Sequence, residues 1–315
     1  MHEIGGYFGL EAFHGQEYYH DLIAVNNGRN ALLYLLKARN ITKLYIPYFL
    51  CNSISDMLER NGYAYAYYHI SLDFLPVFDR CLDDHECLYI VNYYGQISNE
   101  TIMKLQKKHK NVIFDNIQAF FQQPVEEIDT VYTCRKFFGV PDGGYVSTTA
   151  RLDETLLVDV SMDRMRHVLG RFEGSASDYY ADFKANDTLH EELPLRSMSM
   201  LTHNLLRAID YEAVRRKRNE NYALLELELG RRNKLRLTMP EGPYAYPFYC
   251  ENGMEIKKAL AVKGIFVATL WPNVLGMDGT LEKQFAENIL PLPCDQRYGQ
   301  EDMLRIINEI SRLLG

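Results

Sequence analysis

The 315-residue sequence has no stretch approaching the ~18 apolar residues that a bilayer-spanning helix requires, which excludes a helical membrane span. Positive charge is in deficit. The 34 lysines and arginines stand against 42 aspartates and glutamates, a formal net charge of −8, which argues against a general nucleic-acid binder. The one basic run, Arg215-Arg216-Lys217-Arg218, lies inside a helical pattern flanked by acids and reads as a solvated helix face. The six cysteines (Cys51, Cys81, Cys87, Cys134, Cys250 and Cys294) show no CxxC pair. Neither a metal site nor a disulfide framework is expected, and the usage suits a reducing compartment. Met1-His2-Glu3-Ile4-Gly5-Gly6 carries no basic segment followed by an apolar one, so no secretory signal is expected and the cytoplasm is the expected location. A dinucleotide-binding glycine fingerprint, a Walker loop, an HExxH helix and a GxSxG elbow are all missing, which weakens four common readings of an α/β chain.

What is present is a regular alternation. Short apolar runs at Lys43–Pro47, Ala64–Ile70, Cys87–Asn92, Val112–Asp115, Thr130–Thr133 and Gly144–Thr148 read as strands, with helices at Ser53–Arg60 between the first two and at Asn99–Lys110 between the third and fourth. Near-continuous hydrophobicity in such strands predicts a mainly parallel sheet covered on both faces. Arg151–Pro194 is less periodic and reads as helical pieces and loops. A long helix is expected over Ser199–Leu229. Strands at Leu235–Leu237, Tyr244–Phe248 and Ile265–Val267 follow, with helices at Met254–Lys263 and Glu301–Leu314. The expected organisation is a large α/β domain over 1–210 and a smaller α+β domain over 211–315.

Two strand ends carry chemistry. One apolar strand ends in Asp115, and another gives way to Arg135-Lys136 before two aromatics. Alone, Asp115 reads equally as a helix N-cap, and Lys136 reads more readily as a surface lysine. In an open parallel sheet, however, ligands gather outside the carboxyl ends of strands. Asn27-Gly28-Arg29-Asn30 adds a glycine turn entering a helix, which aims free backbone N–H groups at an anion. An anion cradle, an amine and a carboxylate are the three parts that a pyridoxal phosphate enzyme needs.

At these residues the chain resembles the DegT/StrS-type sugar-nucleotide aminotransferases, pyridoxal-phosphate enzymes of fold type I. Asn27-Gly28-Arg29-Asn30-Ala31-Leu32 is similar to the family's phosphate turn and Ile46-Pro47-Tyr48-Phe49 to its Pro-aromatic strand end. Asn92-Tyr93-Tyr94-Gly95 resembles its His-x-Tyr-Gly segment and Asp115-Asn116-Ile117-Gln118-Ala119 its Asp-x-x-Gln-Ala segment. Lys136 through Asp142-Gly143-Gly144 resembles the Schiff-base lysine and the Gly-Gly strand after it. Leu290-Pro291-Leu292-Pro293 and the closing helix are similar to the family's C-terminal segment.

The resemblance implies pyridoxal 5′-phosphate as cofactor, Lys136 as the Schiff-base lysine and Asp115 as partner of the pyridine nitrogen. It implies Gln118 at the ring oxygen, and Asn27, Gly28, Arg29 and Thr133 at the phosphate. Tyr48, Tyr94 and Arg135 are candidate substrate contacts. The implied reaction moves an amino group from an amino acid, glutamate by precedent, to a nucleotide-linked keto-sugar, in a homodimer with its active sites at the interface. Neither nucleic acid nor membrane is an expected partner.

Three departures bear on this. Arg29 stands where Ser or Thr is usual, and Cys51 stands where an aromatic stacks on the cofactor. The family's Asn-x-Arg segment is matched only loosely by Leu195-Arg196-Ser197-Met198. Two rival readings therefore stand beside the first: a non-transaminating sugar enzyme, dehydratase-like, that uses the same cofactor, and a silent fold-mate that binds a nucleotide-sugar or a protein.

Overall fold

The computed structural model describes residues 4–315. Its framework is an eight-stranded sheet built from β1 (Ile23–Val25), β2 (Lys43–Pro47), β3 (Ala64–Ile70), β4 (Pro76–Val77), β5 (Glu86–Val91), β6 (Val112–Asp115), β7 (Thr130–Thr133) and β8 (Gly144–Ser147). The strand order is β1-β8-β7-β6-β5-β2-β3-β4. From β3 to β7 every pairing is parallel, while β4, β8 and β1 run antiparallel to their neighbours. Every residue of β6 and β7 is buried, as a sheet covered on both faces demands.

Alternation along the strands sorts the cover. Val131 and Val146 face one core, with Leu32 and Leu36 of α1 (Gly28–Ala38). Tyr132 and Tyr145 face the other, with Phe120, Phe137 and Leu206. The helices α2 (Asn52–Arg60) and α3 (Asn99–His109) are the crossovers that parallel strands require. Ser98 caps α3 by accepting from the Thr101 N–H.

Beyond β8 lie α4 (Arg166–Glu173) and α5 (Tyr180–Glu192). The single long helix expected over Ser199–Leu229 is two helices, α6 (Met200–Leu206) and α7 (Tyr211–Leu229). Each starts at its own cap: Ser199 accepts from Thr202 N–H, and Asp210 accepts from Ala213 N–H. An apolar periodicity that continues across a capping residue hides such a break. Tyr222 and Leu225 of α7 build a further core with β9 (Tyr246–Tyr249), α8 (Gly253–Val262), β10 (Ile289–Leu292) and α10 (Gln300–Leu314). The segments expected as strands at Leu235–Leu237 and Ile265–Val267 are irregular and have no ladder partner; β9 pairs with β10 instead. From α9 (Leu281–Asn288), Phe285 and Ala286 return to the first core together with Trp271. Among the described residues no helix is long and apolar enough to cross a membrane.

One junction positions the ligand-facing edge. Asp142 is fully buried and accepts from Ser199 N–H, Ser199 Oγ and Thr202 Oγ1, pinning the start of β8 to α6. Two residues on, Gly144 lies so close to the chain that a Cβ there would sit 2.8 Å from the Asn27 carbonyl and 3.0 Å from that of Tyr132. Both obstacles are backbone, so the chain itself must move to admit a methyl group. Gly144→Ala should therefore lower unfolding free energy by about 1–3 kcal/mol, measured by urea titration; an unchanged midpoint would contradict this packing.

Candidate active site

Parallel strands bring their carboxyl ends to one edge, and four connections leave from it. β1 runs antiparallel to β8, as β7 does, so Asn27 emerges beside Thr133. β6 delivers Asp115–Gln118, β7 delivers Thr133–Lys136, and β2 leads through Leu50 and Cys51 into α2. Residues from all four line one cleft of about 700 Å³. Of the residues singled out in the sequence, Asn27, Gly28, Arg29, Asp115, Gln118, Thr133, Arg135 and Lys136 are in its walls. Tyr48 and Tyr94 are not. Tyr48 stacks on Tyr67 of β3 with ring centroids 4.7 Å apart, and Tyr94 is buried against Phe74. What Tyr94 contributes is its backbone, whose N–H donates to Gln118 Oε1 at 2.8 Å.

Asp115 is buried, and both of its oxygens are engaged. Oδ1 accepts from the Ile117 N–H and Oδ2 from the Tyr89 hydroxyl, each at 2.7 Å. Burial pushes this carboxyl above the usual aspartate range, against the opposing pull of Tyr89, Lys136 and Ile117. Lys136 is exposed to the cleft, its Nζ 5.6 Å from the centre of the Tyr244 ring. Arg29 and Arg135 are each pushed down by burial, and Arg135 is further lowered by Arg29. Asp187 of α5 offsets that charge, 3.6 Å from Arg135.

Two amides have donors without partners. Asn27 uses its Oδ1 to cap α1 at the Asn30 N–H, and Gln118 uses its Oε1 on Tyr94, which fixes both amide orientations. Asn27 Nδ2 and Gln118 Nε2 are left buried with no hydrogen-bond partner. Unmade buried bonds of this kind cost about 1–3 kcal/mol each, so these donors fit a ligand rich in acceptors. A pyridoxal phosphate meets that description, since it carries a phosphate, a ring oxygen, a ring nitrogen and an aldehyde. The residues present fit the group.

Several wall residues escaped sequence reading. Phe183, Lys184, Asp187 and Glu191 come from α5, one of the helical pieces expected in that stretch, where no motif marks a cleft residue. Tyr244, Trp271, Asp295 and Arg297 come from the C-terminal part, where no motif marks them. Ile117 lies against Gly28, where a Cβ would approach its Cδ1 to 3.0 Å.

No family model and no curated relative matches the chain. Solved structures do. DesV of S. venezuelae, solved with a ketimine intermediate, is 17% identical over 92% of this chain and 84% of its own, with a TM-score of 0.64. A DegT/DnrJ/EryC1/StrS aminotransferase from Brucella abortus is 15% identical over 93% and 86%, with a TM-score of 0.62. NtdA of Bacillus subtilis, solved with bound PMP, is 14% identical over 92% and 72%, with a TM-score of 0.66. The chain has the fold of the DegT-type sugar aminotransferases. That fold places the cleft at the carboxyl edge of the large sheet, where this chain has its unpartnered donors.

The site yields a prediction about pH. A carboxyl raised by burial costs the empty fold stability as pH climbs above the free aspartate value of about 3.9. Asp115→Asn should leave the cofactor-free protein at least as stable as wild type at pH 7. The difference should close as pH falls below that value, read as thermal midpoints across pH. A variant less stable at pH 7 than at pH 4, relative to wild type, would contradict the burial account. The chain's single tryptophan, Trp271, is in the cleft wall. Adding pyridoxal phosphate should quench its fluorescence saturably; no quenching would argue against binding there.

Proposed function

We propose that this protein is a pyridoxal-phosphate-dependent aminotransferase acting on a nucleotide-linked keto-sugar, with an amino acid such as glutamate as donor. The observation that carries the reading is the meeting, in one cleft, of two unpartnered amide donors, a buried carboxylate and a free lysine. The cofactor, when bound, supplies an aldehyde to hold the amine and a ring to accept electrons from the substrate carbon.

The chain's own residues have the following parts. The N-terminus of α1, with Asn27 Nδ2, Gly28, Arg29 and Thr133, holds the phosphate, a charge-assisted arrangement in which Arg29 does what a hydroxyl does in relatives. Asp115 holds the proton on the ring nitrogen, and a buried carboxylate can do so only while that cation faces it. Gln118 donates to the ring oxygen. Lys136 would hold the cofactor at rest, and its amine, when free, would move a proton from the substrate carbon to the cofactor carbon that receives the amino group, acting as base and then as acid. Arg135 meets a substrate anion in competition with Asp187.

Family-type dimerisation is part of the proposal. Val160, Phe172 and Met200, from the middle of the chain, are each more than two-thirds exposed. Each is an apolar side chain of a kind that a second copy could cover. Cys51 gives the second reading its foothold, because its thiol faces the cleft where a ring-stacking aromatic is usual.

Adding glutamate to the loaded protein should convert its absorbance to that of the pyridoxamine form, and Lys136→Ala should slow that conversion at least ~10³-fold. Consumption of a keto-sugar nucleotide with no response to any amino donor would favour the non-transaminating reading. Sedimentation should give twice the chain mass; a stable monomer at micromolar concentration would remove the interface from the account.

A further inference from the structure

We infer that Tyr89 is the positioning residue of this site: its hydroxyl, entering from inside the sheet, holds the Asp115 carboxylate in the orientation that presents it to the cleft. The inference rests on the proposed cofactor reading and adds a residue to it. Tyr89 is completely buried and is absent from the cleft wall. In the parallel pairing of β5 with β6, Val91 lies opposite Asp115 and Tyr89 opposite Ile113. Tyr89 therefore shares a face with Val91 two residues back, about 6.6 Å along the strand. A tyrosine side chain spans that gap, and its hydroxyl ends 2.7 Å from Asp115 Oδ2.

The neighbouring tyrosines are differently employed. Tyr68 of β3 donates to the Tyr89 carbonyl at 2.6 Å, and Tyr93 donates to the Phe49 carbonyl at 2.5 Å. Among the described residues Tyr89 is thus the one side chain that donates a hydrogen bond to Asp115. With Ile117 N–H on Oδ1, the two donors grip different oxygens, so the carboxylate cannot rotate without losing both. A carboxylate has about four acceptor positions, so the grip from behind leaves acceptor capacity for the cleft. The ionisable groups facing Asp115 are Tyr89, Tyr68, Tyr93 and, across the cleft, Lys136. All three phenols are themselves pushed well up by burial, so they remain neutral donors.

The test uses full-length protein and pyridoxal phosphate as probe, with Trp271 quenching as readout. Tyr89→Phe keeps the ring and removes the donor. It should weaken cofactor binding about tenfold or more near neutral pH, and move the acid limb of the binding profile to higher pH. Tyr89→Met, as a second variant, should shift both in the same direction. Tyr68→Phe, which removes an equally buried hydroxyl aimed at backbone, should leave both unchanged. In an Asp115→Asn background, Tyr89→Phe should add little, whereas a purely structural role would make the two losses additive. Wild-type affinity and pH profile in Tyr89→Phe, or additive losses, would overturn the inference. Failure of the wild type to bind would overturn the cofactor reading instead.

Discussion

A carboxylate buried at the end of a parallel strand needs a positive partner, and the site is organised around meeting that need. Asp115 is out of water, braced by Tyr89 and the Ile117 N–H, with the charge of Lys136 opposing the effect of burial. An ionised group in that setting is costly alone and stabilising once a cation faces it. The cleft is in this sense half of an interaction, and it favours a ligand that brings a positive charge to Asp115.

The sheet supplies the geometry. Because β6 and β7 are parallel neighbours, the acid and the lysine leave from the same edge. Because β8 alone is reversed between β7 and β1, β1 has the direction of β7 and the α1 N-terminus starts at that edge as well, and Gly144 lets the backbones approach closely enough. A helix N-terminus, an acid and an amine are brought together by topology. Packing then holds them: Asp142 is tied to α6, and the two cores differ in character on opposite faces of β7.

Much of this was legible in the sequence because it rests on local signals. The apolar runs gave β2, β3, β6 and β7 with their bounds, since buried parallel strands leave little ambiguity between turns. The residues of the cleft that come from strand ends were legible for the same reason. Less legible was anything set by distant contact. The helix over Ser199–Leu229 divides because α6 ends at Leu206 and Asp210 caps a new helix, within an apolar periodicity that runs on across the break. β9 pairs with β10, across roughly forty residues, while the apolar runs at Leu235 and Ile265 find no ladder. Trp271 and α5 reach the cleft through tertiary packing alone, with no pattern in their own segments to announce it. Tyr48 and Tyr94, which adjoin two strand ends, lie outside the cleft walls because aromatic neighbours claim their rings.

The central claim is covalent, and it can be read directly. The loaded protein is reduced with borohydride, digested, and searched by mass spectrometry for the pyridoxyl group. Two lysines line the cleft, Lys136 and Lys184, so the assignment discriminates. The label should sit on the peptide containing Lys136. A label on Lys184, or none on a protein that has bound the cofactor, would contradict the account.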